Sequence, residues 1–206
     1  MNLETFQINW FDFVLLIMIL LGANRGRKHG MSVEMMISLQ WVAIILIGAF
    51  FYRPIGDVLA QSSAFSHLFC YIAVYIGIAM VVKVIFALLK KGAGGKLVGS
   101  SIFGRAEFYL GMVAGGIRFA CIVLAAMALL NARAYNSQEI TNDLKYQKDL
   151  YGSNFFPQLY SIQAAVFRES LVGKAVKDHA EFLLSAPTAP EYKTLQRKDS
   201  SKDSLP

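Results

Sequence analysis

Apolar residues along this chain are gathered into four blocks separated by short polar segments. An α-helix rises about 1.5 Å per residue, so roughly 20 apolar residues cross a hydrocarbon core of about 30 Å. The third and fourth blocks reach that length, and the second reaches it once Trp41 and Tyr52 are counted as interfacial aromatics. The first block is shorter, and it would span tilted, lie shallowly in the membrane, or thin the bilayer locally. The pattern therefore predicts an all-α membrane protein with about four transmembrane helices, at residues 10–24, 33–52, 66–89 and 107–130.

Local residue types indicate where the first two helices begin and end. Asn9 is a good N-cap, and the Asp12 carboxylate lies in the first turn, near the positive end of the helix dipole. Ser32 and Glu34 give the second helix the same kind of start, and Pro54 is expected to end it. Between these helices we predict a tight cytoplasmic turn, rich in glycine and cations, that contains Gly22, Arg25, Gly26 and Gly30.

After residue 131 the apolar blocks give way to a highly charged region. Within residues 131–184 we predict one or two amphipathic helices, centred on residues 155–184 and broken at Gly173, lying on the membrane or on the other helices. Residues 185–206 are rich in Pro, Ser and charged residues, which predicts a disordered tail. Residues 1–9 contain no Lys or Arg, so we expect the first apolar block to be a retained anchor rather than a cleaved signal peptide.

The distribution of charge indicates membrane topology rather than a nucleic-acid partner. The chain is 55% hydrophobic and 17% charged, with a formal net charge of +6, which is unlike an average soluble domain. Cations are concentrated between the first and second blocks and between the third and fourth, whereas the middle loop has only Arg53. By the positive-inside rule, both basic loops are cytoplasmic, and the N-terminus and everything after residue 131 are on the other side. We therefore expect a lipid bilayer as the surroundings and no nucleic acid as a partner.

Arg118 is the single charged residue in the run from residue 111 to residue 130. Its α-carbon would lie about 15 Å or more from either end of the predicted span. A charge at the bilayer centre costs about 2.5–3.5 kcal/mol on insertion scales, so such residues normally face other helices or water and have a partner. Asp12, Glu34 and backbone carbonyls at helix ends are the candidate partners. Both a structural pairing role and a role in transport or gating remain open.

Glycines accompany this arginine on the predicted helix. Gly111 and Gly115 share the helical face of Arg118, and Gly116 is adjacent to that face. Glycines four residues apart allow another helix to approach closely, so this face is predicted to form a helix–helix contact. Lys83 lies near the cytoplasmic end of the third span, where its long side chain can extend to the lipid headgroups.

The sequence contains no pattern that predicts catalysis or metal binding. The linker at residues 92–104 is glycine-rich, but Leu97 stands where a phosphate-binding loop needs Ser or Thr after Gly-Lys. Cys70 and Cys121 are single thiols within apolar blocks, which is typical of small buried hydrophobic residues. Since no nucleophile motif or histidine cluster accompanies them, we expect neither enzymatic activity nor a cofactor or metal ion.

Several of these features occur together, in order, in a known family. They are an aspartate early in the first apolar helix (Asp12), a glycine-and-arginine segment after it (Gly22, Arg25, Gly26, Gly30), and a last span with spaced glycines followed by arginine (Gly104, Gly111, Gly115, Arg118). In this order they resemble the colicin V production protein (CvpA) family of bacterial inner-membrane proteins, over residues 8–130 and through the amphipathic stretch to about residue 184.

The resemblance implies a multi-pass inner-membrane protein that supports toxin production or export, or envelope homeostasis. In such a protein the distribution of cations predicts that both termini are periplasmic. The expected partners are further copies of the chain or membrane proteins of export and the envelope, bound by helix–helix assembly. An alternative is a subunit of a small channel or transporter, in which Arg118, Asp12 and Lys83 line a wet path.

Overall fold

The computed structural model describes residues 9–63, 65–92, 106–151 and 158–188 of the chain. The long helices are α1 (Trp10–His29), α2 (Met31–Ser62), α3 (His67–Gly92) and α4 (Ala106–Asn131). The shorter ones are α5 (Ser137–Tyr151), α6 (Leu159–Ala164), a π-helical turn (Ala165–Glu169), α7 (Leu171–His179) and a 3₁₀ turn (Glu181–Leu183). The predicted all-α class is therefore confirmed. Of the linker predicted at 92–104, Gly92 belongs to α3, and the rest, including Gly104, lies outside the described residues. The predicted tail lies outside them from residue 189 onward.

Three of the described helices, α2, α3 and α4, are long and apolar enough to cross a membrane. They present large apolar side chains outward: Phe50 is 68% exposed, Met80 64% and Val113 60%, which is unfavourable in water and favourable in lipid. In α1 the charges of Asp12 and Arg25 bracket an uncharged stretch of 12 residues (13–24), about 18 Å long. As predicted, the first helix is the shortest of the apolar helices.

The segment from residue 22 to residue 30 differs from its prediction. Gly22, Arg25 and Gly26 lie within α1, which continues to His29, and only Gly30 forms the connection to α2. Gly30 has a φ of 76°, a left-handed value that glycine adopts without strain. The other two glycines are buried against α4. Their use is close helix packing rather than a turn.

Pro54 does not end α2, contrary to the prediction, because the helix runs on to Ser62. A proline within a helix costs about 3 kcal/mol, so the last two turns must be held by packing. Gly56 receives the ring of Tyr71 from α3, since a Cβ there would overlap that ring. The Tyr71 hydroxyl also donates a hydrogen bond to the Asp57 carboxylate. These contacts hold residues 55–62 in the helix beyond Pro54.

The long helices pack side by side, with α4 between α1 and α2 and with α3 on the far side of α2. One end of this layer, which we name the capped end, carries the start of α1 and the end of α4 and is covered by the chain after residue 158. There Asn9 Nδ2 donates to the Ala165 carbonyl at 3.0 Å, Asn131 Nδ2 to that of Ser185 at 2.9 Å, and the Ala186 N–H to the Tyr52 hydroxyl at 2.7 Å. We name the covering residues, 158–188, the cap. Apolar residues from the long helices and from the cap form a core there, including Phe11, Met127, Val166, Phe167 and Leu184.

The cap corrects two details predicted from the sequence. The amphipathic helices are broken at Ser170, which is the N-cap of α7, and not at Gly173. Gly173 instead allows the first turn of α7 to lie against the π-helical turn, since a Cβ there would overlap the Val166 carbonyl. Residues 185–188 belong to the cap rather than to a disordered tail: the Thr188 N–H donates to the Ala132 carbonyl at 2.9 Å.

Candidate functional site: a buried ion pair beside a glycine seam

Four glycines bring α1 and α4 into backbone contact. A Cβ built on Gly22 would lie 2.5 Å from the Gly115 carbonyl oxygen, and one built on Gly111 would lie 2.5 Å from that of Gly26. Real Cβ atoms do not approach backbone this closely, so no larger residue fits these positions. We name this set, Gly22, Gly26, Gly111 and Gly115, the glycine seam. It is the small-residue packing seen between membrane helices.

The seam places the predicted glycine face of α4 against α1 of the same chain. Gly116, which was included in the predicted packing face, is outside the seam. A Cβ at Gly116 would have Ile19 Cγ2 as its nearest neighbour, at an ordinary contact distance of 3.7 Å. The face that the sequence offered to a partner helix is therefore occupied within the chain.

Arg118 is paired with Glu34, one of the partners expected from the sequence. Its Nη1 lies 3.3 Å from Glu34 Oε1 and 3.2 Å from Oε2. His29 adds a third contact, with Nδ1 3.1 Å from Glu34 Oε1. The Glu34 side chain is 1% exposed, whereas the Arg118 side chain is 19% exposed. A buried carboxylate of this kind is tolerated only when it is paired and hydrogen-bonded.

Two hydrogen bonds between α2 and α4 flank this ion pair. Ser32 Oγ donates to Glu107 Oε1 at 2.9 Å, and Ser38 Oγ donates to the Ala114 carbonyl at 2.7 Å. Helix side chains lean toward the N-terminus of their own helix, so Arg118 extends back along α4 to the level of Glu34. Its guanidinium thereby lies nearer the end of the layer where α1 ends and α4 begins, which we name the basic end.

Asp12 and Lys83 lie away from this pair, although they were grouped with it as candidate intramembrane charges. The Asp12 carboxylate is at the capped end, where it accepts hydrogen bonds from the Asn9 N–H (3.0 Å), Ser170 Oγ (2.6 Å), the Leu171 N–H (3.2 Å) and the Val172 N–H (3.1 Å). It therefore caps two helices, α1 and α7. Lys83 is exposed on α3. The three charges thus do not line one path within the described residues.

Sequence reasoning missed several residues of the packing. Gly48 and Gly56 on α2 receive the rings of Tyr75 and Tyr71, because a Cβ on either glycine would overlap a ring carbon. The two glycines are eight residues apart, which is twice the four-residue spacing of packing glycines. This spacing was the feature of the sequence that could have indicated their role. Ser170 has no such signal, because its role depends on Asp12, which is far away in the sequence. Cys70 and Cys121 are both buried and free.

Within the described part of the chain, no group of three or more His, Cys, Asp or Glu residues could hold a metal ion. The site consists instead of charges buried between helices. The family model of the colicin V production protein matches residues 11–174, a stretch that includes the glycine seam, the ion pair and the start of α7. No curated protein matches the chain, and no solved structure matches it.

Proposed function

This chain belongs to the colicin V production protein family, and on that premise we propose that it supports toxin production or export, or envelope homeostasis, by assembling with itself or with membrane proteins of export and the envelope. The glycine seam and the ion pair then have a structural role. They fix α1, α2 and α4 as a rigid unit that presents its remaining surface to partners.

The surface that we assign to assembly is the outward face of α3. This helix packs mainly against α2. Away from that contact it carries Gly77, which is exposed, and Ala73, which is half-buried; the two are four residues apart and therefore on one side of the helix. A Cβ at Gly77 would have no atom within 4 Å. A glycine in the middle of a helix costs about 1 kcal/mol relative to alanine, and no residue in the described part of the chain packs closely against this one. This unused small-residue face is the observation that carries the proposal.

Replacing Gly77 by isoleucine tests this assignment, with Gly92→Ile as the matched control. Gly92 is also on α3 and also has open space around it, but it lies at the end of the helix. Cross-linking in native membranes should yield a larger species or partner adduct with the wild type and Gly92→Ile, and much less of it with Gly77→Ile. Unchanged adducts in Gly77→Ile would exclude this face as the assembly surface.

A small channel or transporter is the alternative function, and one observation favours it. Arg118 Nε is buried and has no hydrogen-bond partner among the described residues, although buried donors are normally satisfied. In a channel, a donor of this kind beside a buried carboxylate would hold a water molecule or an ion on the path through the membrane. Ion flux through the protein in liposomes, abolished by Arg118→Ala and by Glu34→Ala, would support this function. Absence of flux in the wild type would exclude it.

We further propose the inner membrane as the location, with the capped end periplasmic. The support is the distribution of cations. Arg25, Arg27 and Lys28 lie at the end of α1 and Lys90 and Lys91 at the end of α3, all at the basic end, which the positive-inside rule assigns to the cytoplasm.

A further inference from the structure

A groove of about 450 Å³ lies at the basic end, between the last turns of α1 and the middle of α4. It is lined by Leu21, Asn24, Arg25, Lys28, His29 and Phe119. Each α1 residue in this set lies on the side of α1 next to Phe119, and none of the lining residues is acidic. The groove is therefore a concave surface with two permanent cations and an apolar wall.

The lining changes from apolar to cationic along α1. Leu21 lies deepest in the layer, Asn24 and Arg25 follow one turn later, and Lys28 and His29 form the end of the helix. From Leu21 to Lys28 the rise is about 10 Å. That is the order in which a phospholipid presents its groups at a bilayer surface, from acyl chain to glycerol to phosphate. Exposed apolar side chains continue the wall below Leu21, with Ile17 and Leu20 more than half exposed.

Within the described ranges, the two permanent cations of the groove are available to a ligand. Neither Arg25 nor Lys28 forms an ion pair with any acid in the described ranges. His29 contacts Glu34 through Nδ1, which leaves its second ring nitrogen for a ligand. Arg27, from the same turn of α1, lies outside the groove, because its guanidinium stacks over the Phe108 ring at 4.4 Å.

We propose that this groove binds the phosphate of an anionic membrane lipid, with Arg25 and Lys28 on the phosphate and with Leu21 and Phe119 against the upper acyl chains. Basic pockets between membrane helices are a known arrangement for anionic headgroups. A free phosphate compound would satisfy the same cations, but it would make no contact with the apolar wall. The proposal requires only that the helices are in a membrane, and it does not depend on the assembly role of α3.

The test compares lipid binding by the purified full chain in detergent, measured by native mass spectrometry and by thermal unfolding. The probes are phosphatidylglycerol, phosphatidylcholine and glycerol 1-phosphate. The variants are Arg25→Gln with Lys28→Gln, and Arg27→Gln as a control that removes a nearby cation outside the groove. A cation near an anionic surface contributes about 5-fold in affinity, equivalent to about 1 kcal/mol.

We expect phosphatidylglycerol to bind and stabilise the wild type and Arg27→Gln, and the double variant to lose about 25-fold in affinity, as two such cations imply. Phosphatidylcholine and glycerol 1-phosphate should have little effect. Equal binding of the two lipids, an equal loss in Arg27→Gln, or full stabilisation by glycerol 1-phosphate would each overturn the proposal. Thermal unfolding without added lipid identifies a variant that has failed to fold, in which case the single variants Arg25→Gln and Lys28→Gln give the same comparison.

Discussion

Replacing Arg118 by methionine should destabilise the protein more than replacing Glu34 by methionine, although both changes break the same ion pair. Methionine is unbranched and of similar length, so it fills the space without a charge. In Arg118→Met, the buried Glu34 carboxylate retains His29 as its contact. In Glu34→Met, the remaining guanidinium is 19% exposed and can keep part of its hydration.

The magnitudes follow from this difference in burial. Breaking a buried ion pair by removing one partner costs about 3–5 kcal/mol, which is the range we expect for Arg118→Met. For Glu34→Met we expect about 1–3 kcal/mol, because the guanidinium that is left is partly solvated. The double variant removes both charges and should lie within about 1.5 kcal/mol of the wild type. The coupling energy of the cycle should then be at least about 2.5 kcal/mol.

Equilibrium unfolding in mixed micelles, with increasing mole fraction of a denaturing detergent, gives the free energy of unfolding for each variant. The two tryptophans of the chain, Trp10 and Trp41, lie on α1 and α2, the helices on the two sides of α4. The burial argument would be refuted by additive single costs, or by a larger loss in Glu34→Met than in Arg118→Met.

Three further substitutions and one control test the packing. In Gly115→Ala the new Cβ would overlap the Gly22 carbonyl oxygen and lie 2.9 Å from the Gly26 Cα, so we expect a loss of about 1–3 kcal/mol in the same unfolding assay. In Gly116→Ala the new Cβ would meet Ile19 at an ordinary contact distance, so this control should be neutral or slightly stabilising, and equal effects would contradict the seam. In Gly173→Ala the new Cβ would overlap the Val166 carbonyl group, so α7 should detach and the chain after residue 158 should become sensitive to protease. Resistance equal to that of the wild type would contradict the described cap. Asp12→Ala removes the acceptor for four hydrogen bonds. We expect it to lower the free energy of unfolding by about 1–2 kcal/mol and to increase cleavage by protease after residue 158. An effect below about 0.3 kcal/mol would show that Asp12 caps neither helix.

Some of this structure could be predicted from the sequence because the bilayer imposes strong constraints. A long apolar run must become a helix in lipid, which gave the all-α class. A charge in the middle of such a run needs a partner, which placed Glu34 among the candidates for Arg118.

The remaining features depend on long-range contacts. Glycine serves both turns and close packing, so Gly22 and Gly26 could be assigned to the seam only once α4 was seen opposite them. Pro54 weakens a helix locally, and the ring of Tyr71 packed on Gly56 outweighs that effect. Asp12 was explained as a cap for its own helix, but its second role requires Ser170 and α7, which the chain brings to the capped end after crossing the layer four times.

Thiol labelling tests most directly whether a bilayer lies between the basic end and the capped end. It uses Lys28→Cys at the basic end and Lys177→Cys at the capped end. Both side chains are exposed, and the native cysteines are buried. With a membrane-impermeant maleimide applied to intact spheroplasts, we expect Lys177→Cys to react and Lys28→Cys to react only after the membrane is disrupted. Equal labelling of the two positions in intact spheroplasts would contradict a bilayer lying between the two ends.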